Sequence, residues 1–140
     1  MRRLNSLALI PTSKSLDYGC GRGNDAELLG MDRYDPYYFP QATAPEYDVV
    51  TCNYVLNVLE SKNERTQVIT QLKGKTRLGG VIYVSVRNDI RNLNGLTSKG
   101  TWQGEIKDAE LEAQGFEKIH ATVLYRLFKY EKPNKQITIK

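Results

Sequence analysis

Cysteine, histidine and long apolar runs are all scarce in this sequence of 140 residues. It holds two cysteines, Cys20 and Cys52, and one histidine, His120. With no Cys-x-x-Cys pair these are too few ligands for a structural zinc site, so no metal is expected. The same shortage argues against a disulfide framework and for a reducing, cytoplasmic compartment. The apolar run from Leu7 to Ile10 is far too short for a signal sequence or a membrane span, and no membrane association is expected. Excess of one charge is also small: 20 Lys and Arg against 16 Asp and Glu leave a net charge of +4, with a pI near 9.0. That balance permits a polyanionic partner without requiring one. No internal repeat is present.

What remains is ordinary globular material, 40% hydrophobic and 26% charged, enough for one core and short for a catalytic unit with its own substrate domain. A single domain over residues 1–140 is expected, with a polar, basic tail from about residue 131. Its most informative stretch is Leu16-Asp17-Tyr18-Gly19-Cys20-Gly21-Arg22-Gly23-Asn24-Asp25. An apolar lead-in ends in an acid, three glycines alternate, and Asn-Asp opens a helix. This reads as strand, tight loop, helix, where glycines let the backbone turn with positive φ and let a ligand lie against the main chain.

Charge decides which ligand. A dinucleotide site wants a third glycine where Asn24 stands, and a helix start kept free for pyrophosphate, where Asp25 puts a negative charge. The spacing Asp-x-Gly-x-Gly-x-Gly instead resembles the first motif of class I methyltransferases. Their cofactor, S-adenosylmethionine, carries a sulfonium and an ammonium and no phosphate. Asp17 suits the cationic amino-acid moiety. Asp35, closing a second strand over Met31 to Tyr34, can accept hydrogen bonds from both ribose hydroxyls. Pro36 and Tyr37 follow it, and the rings of Tyr37, Tyr38 and Phe39 either line an adenine slot or cover a sheet edge. The first helix, from Asn24 to Gly30, has room for about two turns. Only Gln41 to Tyr47 precede the next apolar run, so a full third strand with its helix does not fit.

Tyr47 to Leu59 has the content of a buried parallel strand and resembles the fourth class I motif, with Asn53 and Tyr54 at the end that faces cofactor and acceptor. Ser61-Lys62-Asn63-Glu64 is a capping box for a helix ending near Gly74. Leu78-Gly79-Gly80 then reads as a turn into a strand over Val81 to Val86. The segment from Arg87 to Glu105, around Trp102, is irregular and is either an acceptor contact or a solvated loop. A helix over Asp108 to Gln114 stops at Gly115, and Phe116 to Ala121 with Val123 to Tyr130 reads as an antiparallel pair at the sheet edge.

Three segments narrow the resemblance: Leu16 to Asp25 with Asp35-Pro36-Tyr37-Tyr38, Tyr54-Val55-Leu56-Asn57-Val58-Leu59-Glu60, and Leu96-Thr97-Ser98-Lys99-Gly100-Thr101-Trp102-Gln103. Together they resemble the methyltransferases encoded alongside DNA phosphorothioation systems, over about residues 15–128. The resemblance implies an α/β, Rossmann-like class I sheet in the order 3-2-1-4-5-7-6, its third strand reduced or absent, with helices on both faces. By the same matching, Asp17, Gly19, Gly21, Gly23, Asp35, Asn53 and Tyr54 inherit cofactor roles. Tyr18, Cys20, Pro36 and Tyr37, within the same motifs, complete the candidate set. No catalytic residue follows from it.

The acceptor is expected to be nucleic acid or else a small molecule, and a partner protein can complete its site. Neither an Asn/Asp-Pro-Pro-aromatic turn nor a Pro-Cys nucleophile is present, since Asn53-Tyr54-Val55-Leu56 lacks both prolines and Thr51 precedes Cys52. Cys20 and Cys52 read as small buried residues rather than a redox pair, and His120 as a surface or packing residue. Lys129, Lys132, Lys135 and Lys140 form either a solvated end or a polyanion contact. Two rivals stand beside methyl transfer: a cofactor-binding module without transferase activity, acting as sensor or subunit, and a dinucleotide-binding oxidoreductase.

Overall fold

The apolar, β-branched runs pair side by side, and the chain returns through the capped helix as a parallel sheet requires. A computed structural model describes residues 14–19, 30–35, 46–88, 94–96 and 102–134. The strands are β1 (Ser15–Tyr18), β2 (Asp32–Tyr34), β3 (Tyr47–Asn53), β4 (Thr76–Arg87), β5 (Asn94–Leu96), β6 (Trp102–Gly104), β7 (Glu117–Ala121) and β8 (Tyr125–Glu131). Six of them form one sheet in the order β2-β1-β3-β4-β8-β7. The first four run parallel, and β8 and β7 close the far edge as an antiparallel pair. Among the described residues this is the expected order; residues 36–45, between β2 and β3, lie outside them.

Helices α1 (Lys62–Lys75) and α2 (Asp108–Glu112) lie on one face of the sheet. Ser61 caps α1 as its sequence predicts, its hydroxyl accepting from the N–H groups of Asn63 at 3.1 Å and Glu64 at 3.4 Å. The main core forms where Ile69 and Leu72 of α1 and Leu111 of α2 meet Leu16, Val50, Cys52, Ile82, Val84 and Phe128 of the sheet. Strand alternation turns the intervening residues to the other face. There Val49, Tyr83 and Leu127 form a second cluster, and Asp17, Thr51 and Ser85 are buried with them. Two parallel hydrogen bonds from Arg65 to Glu110, at 2.8 and 3.0 Å, tie α1 to α2. The helix expected from Asn24 falls outside the described residues.

Three expectations change. β4 begins at Thr76 rather than Val81, because Leu78-Gly79-Gly80 is a register shift inside the strand. The ladder is extended there by Gly79 and Gly80, which exchange backbone hydrogen bonds of 2.9 Å with Lys132. The segment around Trp102 contains the hairpin β5–β6. Strands of three residues are too short to show a period, and these two pair with each other rather than with the main sheet. Helix α2 ends at Glu112, two residues before Gln114, and a turn carries the chain to Gly115 at φ +93°.

Candidate functional site

In an open α/β sheet the crevice for a ligand lies beyond the carboxyl ends of the strands, where neighbouring strands continue in opposite directions. Here β1 stands between β2 and β3, so that point falls at Tyr18-Gly19 on one side and Asn53-Tyr54 on the other. The register pairs Asp17 with Arg33 and Thr51, and Tyr18 with Tyr34 and Cys52. Asp35, just past β2, is partly exposed. Gly19 ties the two acidic positions together, its N–H donating to the carbonyl of Tyr34 at 2.8 Å. Asp17, Gly19, Asp35, Asn53 and Tyr54 therefore gather at adjacent strand ends, whereas Cys20, Gly21, Gly23, Pro36 and Tyr37 lie outside the described residues.

Each gathered residue is held in a definite way. Asp17 is 5% exposed, and the Thr51 hydroxyl donates to its Oδ1 at 3.0 Å. An ionised carboxylate only accepts, which suits it to a cationic group. Gly19 has φ +75°, and a Cβ built on it would come within 2.5 Å of Val55 Cγ2. The missing side chain at this glycine thus makes room for the loop after β3, where the motif suggested room for a ligand. At Asn53 the Ser85 hydroxyl donates to Oδ1 at 2.6 Å, which sets the amide's orientation. Tyr54 follows with φ +60°, a rare and costly conformation for an aromatic residue, and its N–H donates to the Ser85 carbonyl at 3.0 Å.

Tyr18 points the opposite way. Its ring stacks on Tyr34 at 4.8 Å between centroids, and its hydroxyl donates to Gln71 of α1. Burial, with Tyr34 and Cys52 nearby, raises its pKa from 10.0 to about 12. Only its backbone stands at the strand end. Cys52 is buried on the same face, and burial together with the charge of Asp17 pushes its thiol far up. A thiol held protonated is no nucleophile.

Residues that the sequence pattern passed over complete the floor. Asn57 is fully buried, donating through Nδ2 to the Gly104 carbonyl at 2.8 Å and accepting through Oδ1 from the Arg87 N–H at 2.8 Å. It binds the short 3-10 turn Leu56–Val58, the end of β4 and the β5–β6 hairpin into one unit. An asparagine inside Val55-Leu56-Asn57-Val58-Leu59 was a signal available in the sequence, since a buried amide must find partners. His120 lies on edge strand β7, 6.0 Å from the Tyr125 ring. Of the basic residues at the end of β8, Lys129 pairs with the exposed Glu131 at 2.9 Å, and Lys132 serves the fold by donating to the Lys73 and Thr76 carbonyls at 2.8 Å each. Lys135 and Lys140 lie outside the described residues.

Solved structures share this fold. The 1,6-didemethyltoxoflavin-N1-methyltransferase of Burkholderia thailandensis, solved with 1,6-didemethyltoxoflavin and S-adenosylhomocysteine bound, superposes with a TM-score of 0.70 at 15% identity, over 94% of this chain and 76% of that one. A methyltransferase dependent on S-adenosylmethionine from Methanosarcina mazei gives 0.67 at 12% identity, over 94% and 98%. The fold is that of the class I methyltransferases. Magnesium protoporphyrin IX methyltransferase from Synechocystis, solved with S-adenosylmethionine, matches at 0.58 and 17% identity, over 94% and 75%. No protein-family model matches the chain, and no curated protein matches it. Among the described residues no helix is long and apolar enough to cross a membrane, and no group of three His, Cys, Asp or Glu side chains is placed to hold a metal.

Proposed function

We propose that this chain is a methyltransferase using S-adenosylmethionine, and that its acceptor is a small molecule. The observation that carries the reading is the convergence of Asp17, Gly19, Asp35 and Asn53 on the switch point beside β1. When bound there, the cofactor supplies a methyl group already activated by its sulfonium. Asp17 faces the amino-acid cation, Asp35 receives the ribose hydroxyls, and Asn53, oriented by Ser85, stands toward the acceptor. Transfer is an in-line displacement, so the protein's task is alignment and exclusion of water. An amine acceptor needs no protein nucleophile, which agrees with a protonated Cys52 and a distant His120.

A small molecule is favoured over nucleic acid because Lys132, part of the proposed polyanion contact, is engaged within the fold, and Lys129 is paired with Glu131. The relatives solved with 1,6-didemethyltoxoflavin and named for magnesium protoporphyrin IX support the same class. The likeness to phosphorothioation-linked methyltransferases rests on the sequence motifs and keeps a DNA acceptor as the competing arm of the test. The short stretch Gln41 to Tyr47, with too little room for a full third strand and its helix, favours one other reading, a cofactor-binding module without transferase activity.

Calorimetric titration with S-adenosylhomocysteine and NADH comes first. S-adenosylhomocysteine is expected to bind, Asp35→Ala to weaken it about tenfold or more, and preferential NADH binding overturns the reading. Labelled methyl donor incubated with DNA, RNA and metabolite fractions then locates the acceptor. Label is expected in metabolites; label in DNA reverses the acceptor class, and label in no fraction leaves the binding module.

A further inference from the structure

Beside the carboxyl end of β4, on the face that carries α2, the surface closes into a cavity of about 320 Å³. Its polar lining brings Lys107, Lys118 and Arg126 together with Glu105, Asp108 and Asn88. Asp108 is shared, with Lys118 Nζ 2.9 Å from Oδ2 and Arg126 on Oδ1. One carboxylate therefore serves two cations. The Arg126 side chain is only 11% exposed. One terminal nitrogen donates to Asp108 and the other to the Ile106 carbonyl at 2.7 Å, while its buried Nε–H has no partner. A buried donor without an acceptor is destabilising and calls for a reason.

Asn88 joins this cavity to a second feature. Its Nδ2 donates to the Thr122 carbonyl at 2.7 Å and its backbone N–H to the Leu124 carbonyl at 2.8 Å. Thr122 Oγ1 in turn accepts from the N–H groups of Leu124 and Tyr125, each at 3.1 Å. The turn fastened in this way presents Val123 and Leu124, 86% and 62% exposed, the most exposed large apolar side chains among the described residues. Two aliphatic groups held in water beside a cationic cavity form a contact surface for an amphipathic ligand.

We propose that the cavity takes the anionic group of the methyl acceptor, a small molecule with a carboxylate or phosphate at one end and an apolar body lying against Val123 and Leu124. Lys118 and Arg126 supply charge-assisted hydrogen bonds to the oxyanion, and the orphaned Nε–H gains an acceptor. Arg126, on β8, lies two strand spacings from Asn53 at the end of β3, roughly 10 Å. An acceptor of about that length, anchored here, reaches back to Asn53 and Tyr54. The ligand's fate rests on the methyl-transfer reading; the pocket's chemistry does not.

Titration of the full chain with benzoate, phenyl phosphate, benzamide and inorganic phosphate tests the proposal. The anionic ring compounds are expected to bind about tenfold more tightly than benzamide, and the better of the two identifies the anion. Phenyl phosphate is expected to exceed inorganic phosphate about tenfold, because its ring covers apolar surface. Lys118→Glu should lower the affinity of the anionic probes about tenfold. Val123→Ser should weaken phenyl phosphate and leave inorganic phosphate unchanged. Both positions are exposed, and unchanged circular dichroism checks that each variant folds. Equal binding of benzoate and benzamide overturns the proposal, as does anion binding that Lys118→Glu leaves intact. Equal binding of phenyl phosphate and inorganic phosphate overturns its apolar half. S-adenosylhomocysteine titrated into the same sample separates the two readings. If it binds and benzoate does not, the pocket falls and methyl transfer stands; the reverse result keeps the pocket and removes methyl transfer.

Discussion

The two ends of the main sheet are built on opposite terms. At the amino end the backbone is sealed: Lys14 receives the N–H groups of Asp48 and Val49, Gly79 and Gly80 pair with Lys132, and the Lys132 ammonium closes the last carbonyls of α1. Tyr47 adds a hydrogen bond to Asp32 at 2.8 Å, and Arg77 pairs with Asp48. At the carboxyl end Tyr54 is strained, Gly19 gives way to Val55, Asp17 and Asn57 are polar and buried, and Val123 and Leu124 face water. One sheet is thus closed by backbone and ion pairs at one end, and carries a strained tyrosine, hydrogen-bonded buried polar groups and exposed apolar side chains at the other. Strain and buried polarity collect where a protein does its chemistry, and the sealed end supplies the stability that offsets them.

Substitution at Gly19 should have the largest effect. Gly19→Ala combines a left-handed backbone with a clash against Val55 and is expected to cost about 2–4 kcal/mol in urea unfolding, with loss of most S-adenosylhomocysteine affinity. Val55→Ala in that background should recover the steric part only; full recovery would mean that the positive φ carries no cost. At the sealed end, Lys132→Met removes two hydrogen bonds to carbonyls and should cost about 1–2 kcal/mol. Its cofactor affinity should stay unchanged, and a parallel loss of binding would break the separation of the two ends. The smallest effect has the opposite sign. Tyr54→Gly relieves the left-handed strain but adds chain entropy in the unfolded state, so a gain below about 1 kcal/mol is expected. Methyl transfer should fall in the same variant. A loss of stability there would show that no strain is held at the carboxyl end.

Much of the fold was legible because periodicity and capping are local. The parallel run Val49 to Cys52 and the Ser61 cap each follow from a few neighbouring side chains, and each is where the sequence places it. The hairpin β5–β6 was not legible because strands of three residues show no period, and the early start of β4 was not because it depends on pairing with Tyr47 and Lys132, distant in the chain. The candidate site divides in the same way. Its acids and glycines announce themselves by spacing, whereas Asn57, Ser85 and Thr51 matter through residues that only folding brings near.

The order of residues alone decided that an acid, a glycine bend and a second acid would stand at consecutive strand ends, because strand, turn and helix signals act over a few positions. It also decided that the segment between β2 and β3 leaves little room for another strand. Tertiary structure decided what the missing Cβ at Gly19 accommodates, which way Tyr18 points and which cations are spent inside the fold. Those outcomes depend on strand register and packing between elements far apart in the chain, and no local pattern encodes such distances.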